Sequence, residues 1–152
     1  MDQDAKRKLT DQSKAHYIEV RRSRYKVEAA RSDPFTAPHE LKELESNRMM
    51  REKKWLNWWD FYGELLEDSL EVFENKIAKE NLKCHAFDLA LFEYGAMHSQ
   101  EECPRTEEYN EAQKVWEWEK KNLLDPEAAE TIWQAAMAEA AKSFAVVKGE
   151  KI

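Results

Sequence analysis

No proline occurs between Pro38 and Pro104, and the whole chain of 152 residues holds three glycines. Tight turns between strands draw on those two residues repeatedly, because each supplies a backbone angle that others resist. A chain so poor in both must satisfy its backbone N–H and C=O groups mainly within long helices. We therefore expect an all-α fold. Charged residues at 36% and hydrophobic ones at 42% suit amphipathic helices better than the apolar strands of a parallel-sheet enzyme. Six tryptophans, five tyrosines and six phenylalanines argue against a disordered chain.

Five helical segments and no repeat are expected. The first runs from about residue 2 to Arg31, and its apolar positions are sparse: Leu9, Tyr17, Ile18, Val20, Tyr25 and Val27. Pro34-Phe35-Thr36-Ala37-Pro38 then reads as an extended linker. Residues 1–37 are thus expected to form a basic helical arm, 38–147 a helical domain and 148–152 a tail. The second helix is expected from Pro38, well placed at a first helical position, to about Leu82. That is roughly 65 Å at 1.5 Å per residue. Its stretch Glu45–Lys54 has only Met49 and Met50 as apolar members and should project or meet a partner. From Trp55 on, Trp55, Trp59, Tyr62, Leu66, Leu70, Phe73 and Ile77 recur at helical spacing. Further helices are expected at about 83–97, from Thr106 and from Asp125-Pro126-Glu127, the last an N-cap acid with proline at the first position. The arrangement expected is bundle-like, with the long central helix packed by three shorter ones and the first helix as an arm.

Charge is uneven. Residues 1–54 carry 14 Lys+Arg against 10 Asp+Glu, whereas residues 55–152 carry 10 against 21. No apolar run reaches the roughly 18–20 residues that span a bilayer. The start, MDQDAKRKLTDQ, is charged and lacks the apolar centre of a secretory signal. An intracellular protein is expected; a mitochondrial complex is one such setting, although no residue indicates it.

Motifs for chemistry are lacking. Cys84, His85, His98 and Cys103 fall close together, but adjacent residues on a helix point about 100° apart. No C-x2-C or H-x3-H spacing is present to converge on zinc. A bridge between Cys84 and Cys103 requires the intervening helix to end early, for instance at Gly95. The carboxylates show no Glu-x-x-His pairs, His39-Glu40 lacks a second histidine, and three glycines build no phosphate-binding loop. The Leu-Tyr-Arg tripeptide of one group of mitochondrial accessory subunits is absent. We expect no enzyme, no cofactor and no metal.

Two features suit partners instead. Trp58 and Phe61 lie beyond the main aromatic seam, where burial needs a further neighbour, and aromatic anchors often carry protein interfaces. The basic stretch around Ile18, Val20, Arg21, Arg22, Arg24, Tyr25 and Lys26 could dock the arm on an acidic protein surface. The expected function is structural: an accessory subunit that binds other protein subunits of a larger complex. The alternative is a nucleic-acid-associated helical protein, such as a ribonucleoprotein component, using the basic stretch with its aromatics. Diluting acids and the net charge of −7 make nucleic acid the less favoured partner.

Overall fold

The computed structural model describes residues 2–98 and 107–147, with no strand among them. Five α-helices follow one another: α1 Gln3–Ser32, α2 Pro38–Tyr62, α3 Leu70–His98, α4 Glu107–Lys121 and α5 Ala128–Val147. The chain falls into two compact units, Met1–Ile77 and Ala78–Ile152. The boundary between these units lies within α3.

In the first unit α1 lies antiparallel to α2. Asp2 caps α1 by accepting from the Ala5 N–H at 2.7 Å. Asp33 ends it, and the Asp33 carboxylate accepts from the Phe35 N–H at 2.9 Å, turning the chain back. Pro38 then opens α2. The pairing runs from Arg31–Glu45 at 2.8 Å and Arg24–Glu52 at 3.0 Å to Tyr17 against Trp55, ring centroids 5.3 Å apart.

Helix α1, expected as an arm, packs along α2 through an inner stripe. The inner stripe of α1 is Ser13, Tyr17, Val20, Arg21, Ser23 and Val27, all buried. A count of apolar residues misses half of it. The serines can be buried because each hydroxyl donates to a carbonyl of its own helix: Ser13 to Thr10 and Ser23 to Val20, both at 2.6 Å.

The expected helix over 38–82 is interrupted. Residues Gly63–Leu66 form a 3-10 turn, and Glu67 takes a left-handed conformation with φ 62°. Ser69 then restarts the helix: its carbonyl accepts from the Phe73 N–H at 3.0 Å, and its hydroxyl accepts from the Val72 N–H at 3.3 Å. From Leu70, α3 continues unbroken past residue 82, where a junction was expected. Trp55, Leu66, Phe73 and Ile77 are buried as the spacing implied, but Tyr62 is 41% exposed.

The second unit buries Leu82, Ala86 and Leu89 of α3, Tyr109, Trp116 and Trp118 of α4, and Ala129, Ile132, Ala136 and Ala140 of α5. Trp116 meets Trp133 with centroids 5.6 Å apart, and Phe92 meets Tyr109 edge-on at 6.0 Å. The small α5 stripe permits close helix approach, with Thr131, Gln134 and Lys142 left exposed. Helix α5 opens just after Pro126, with the Ala128 N–H bonded to the Asp125 carbonyl at 2.9 Å; Lys79 forms an ion pair with the Asp125 carboxylate. The expected cap at Thr106 lies outside the described residues.

Candidate interaction surface

The first unit gathers two distinct groups of side chains around α2. One is internal and ionic. Glu52 accepts from Arg24 at 3.0 Å and from Arg48 at 3.1 and 3.2 Å. Burial works against its charge, but the two guanidiniums prevail and hold the carboxyl below its ordinary range. Glu74, at the start of α3, accepts from the Trp55 indole N–H at 3.0 Å. Burial raises its pKa; the Trp55 bond and the charges of Arg24 and Arg21 offset this in part, and Glu71 adds to it.

Around these charges is an aromatic cluster. Trp55 is 1% exposed and stacks on Trp58 at 5.6 Å and on Phe73 at 6.5 Å. Trp59 packs on Phe73 at 5.4 Å, and Trp58 on Tyr62 at 5.1 Å. Arg21 lies over the Tyr17 ring, 5.8 Å from its centroid. This arrangement joins α1, α2 and the first turns of α3. Its contacts are those of a structural network that sets helix register.

The second group faces solvent. Residues 49, 50, 53, 54, 56, 57, 60 and 61 are exposed; at 100° per residue 49, 53, 57 and 60 lie on the side of α2 opposite Trp55 and Trp58, 56 lies on one flank of that side, and 54 and 61 lie beside Trp58. Four of them are large and apolar: Met49, Met50, Leu56 and Phe61. Phe61 is 81% exposed and meets the edge of the cluster at Tyr62, 6.3 Å between centroids.

The residues expected to meet a partner therefore separate. Val20, Arg21 and Trp58 are buried, at 0%, 3% and 8% exposure. The reason is the α1–α2 pairing, which covers the neighbour that Trp58 was expected to seek outside. Arg24 is half-buried on Glu52; Ile18 and Tyr25 are half-buried. Arg22 and Lys26 are exposed, with Arg22 donating to Glu19 at 3.0 Å. Phe61 alone of the two aromatics stays on the surface. Leu56 was missed, since the reading followed the inner stripe; its place seven residues after Met49, on the same helix face, was the available signal.

Among the described residues no cluster of three His, Cys, Asp or Glu is placed to hold a metal ion. Cys84 is exposed, and His85 lies 3.4 Å from the Asn81 amide. Cys103 and the side chain of His98, and with them the possible bridge and metal set, lie outside the described residues. No helix among the described residues is long and apolar enough to cross a membrane. No family model, no curated protein and no solved structure matches the chain.

Proposed function

We propose that this chain is a non-enzymatic interaction protein, an accessory subunit that binds other proteins within a larger intracellular assembly through the outer face of α2. The observation that carries the reading is the exposure of Met49, Met50, Leu56 and Phe61 on a stretch of α2 whose inner side, at Trp55 and Trp58, is already packed. Scattered apolar residues on a surface are ordinary, but four exposed between residues 49 and 61 of one helix support an interaction site. The nucleic-acid alternative has less support. Arg24 is paired with Glu52 and Arg22 with Glu19, so the basic stretch offers phosphates less than its composition suggests. A mitochondrial setting remains one form of the proposal and rests on no residue.

The test is the mass and content of the native assembly, taken by size-exclusion chromatography and mass spectrometry from the cells that make the protein. Wild-type chain should elute well above 18.0 kDa together with other protein chains. The double variant Leu56→Ser/Phe61→Ser should elute without them. Nuclease treatment should leave the assembly intact. Loss of the assembly on nuclease treatment would favour the nucleic-acid reading, and a wild-type chain eluting without other proteins would end the proposed one.

A further inference from the structure

The chain reversal between α2 and α3 passes through a strained residue. Glu67 has φ 62°, a left-handed conformation that disfavours any residue with a Cβ. No proline lies between Tyr62 and Leu70, so the covalent chain does not forbid a helix there. Contacts keep the break instead. The Ser69 hydroxyl accepts from the Val72 N–H at 3.3 Å, Lys76 pairs with Asp68 at 2.9 Å, and Phe73 packs on Trp59 at 5.4 Å.

The apolar stripe that crosses the break is symmetric about Leu66. Tyr62 and Leu70 lie four residues from it, Trp59 and Phe73 seven, and Trp55 and Ile77 eleven. In one straight helix all seven would fall within an arc of about 80°. Two such helices, antiparallel about a two-fold axis at Leu66, would pair every member of the stripe with its counterpart in the other copy, since a two-fold contact pairs residue i with j and j with i. One of those pairs, Trp59 with Phe73, is the pair already in contact within the folded chain. We infer that residues 63–69 are a hinge that straightens to fuse α2 with α3, and that the partner of the straightened chain is a second copy exchanging α3 with it. The Trp59–Phe73 contact and the Trp55 bond to Glu74 then form between chains rather than within one. The exchange also frees Glu67 of its left-handed conformation in both copies, and a short hinge under strain favours such a swap. The inference is independent of the role proposed for Met49, Met50, Leu56 and Phe61.

In the closed chain, α3 meets α2 at the effective concentration of a short connection, on the order of 1 mM. Relief of strain lowers the concentration at which a second copy competes, so the dimer should form with Kd below about 1 mM. Sedimentation equilibrium of the full purified chain, refolded from urea over about 10 µM to about 1 mM, covers that range. Glu67→Gly accepts a positive φ and weakens a straight helix, so it should raise Kd at least about tenfold. Asp68→Ala/Ser69→Ala removes the ion pair and the capping hydroxyl and favours helix, so it should lower Kd at least about tenfold. Circular dichroism should stay unchanged in both. Leu56→Ser/Phe61→Ser, which tests the proposed function, should leave this dimer intact.

The decisive measurement is the distance within one chain of the dimer. Spin labels at Lys53→Cys and Lys76→Cys, both exposed positions, are placed in a Cys84→Ser/Cys103→Ser chain and diluted with excess unlabelled chain. The two sites should lie roughly 35 Å apart along a straight helix, against less than about 20 Å when the helices pack side by side. The long distance in the dimer and the short one in the monomer support the hinge. A dimer with the short distance overturns it, because closed chains would then associate by another surface. A wild-type chain monomeric at every concentration overturns it too, as does a Glu67→Gly chain that dimerises like wild type.

Discussion

Gly63 shows how one residue can set the course of the chain. A Cβ there would lie 2.6 Å from Trp59 Cε2 and 2.9 Å from its Nε1. The indole cannot easily retreat, since it packs on Trp55 and Phe73. Gly63→Ala should therefore cost about 1–3 kcal/mol through overpacking, measured by urea denaturation. Glu52 and Glu74 make the opposite kind of test, one of charge. The Glu52 carboxyl is lowered in the fold, so its stabilisation is present at neutral pH and is lost as pH falls below the ordinary value of 4.5. The Glu74 carboxyl is raised, so its contribution is fully present below that value and is lost as pH rises through the raised one. Glu52→Gln should destabilise by about 1 kcal/mol at pH 7, a figure reduced for its partial exposure, and by less at pH 4. Glu74→Gln keeps an oxygen for Trp55 and should be neutral or stabilising at pH 7. If both variants showed the same pH trend in denaturation midpoints, the assignment of opposite shifts would fail.

At the scale of elements, α1 decides the character of the first unit. Its buried stripe holds only three large apolar or aromatic residues, Tyr17, Val20 and Val27, yet Arg24 and Arg31 tie it to Glu52 and Glu45. Val20 is fully buried, so Val20→Asp would place an unpaired carboxylate between α1 and α2. We expect a loss of several kcal/mol. Hydrogen exchange should then show protection lost across residues 3–62 and kept in α4 and α5. Ile18, being half-buried, should tolerate the same change with a smaller loss. Equal effects at the two positions would mean that α1 packs by another face. The helix break has a comparable local cause. Asp68-Ser69 before Leu70 is a readable start signal, with Glu71 acidic in the first turn. Apolar spacing continued smoothly across it and masked the stop, because a 3-10 turn keeps side chains near the same face for a few residues.

For the whole molecule, far-UV circular dichroism should report helix at well over half of residues, against about 30–35% in an average globular protein. A strand signal of any size would contradict the fold. That much was legible from the sequence, because scarce glycine and proline and helical spacing act through the backbone within a few residues. The opening caps, Pro38 at the head of α2 and Asp125-Pro126 ahead of α5, were legible for the same reason. What tertiary structure alone decided was which side of each helix faces inward. Trp55, Trp58, Trp59, Phe61 and Tyr62 fill an arc of about 160° on α2, and periodicity sets Trp58 and Phe61 side by side at one edge of it, although Trp58 is buried and Phe61 is not. It also could not reveal that Arg24 on α1 would meet Glu52 on α2. Those choices depend on residues distant in the chain supplying opposite charge and matching shape, and a helix's own pattern holds no record of its neighbour.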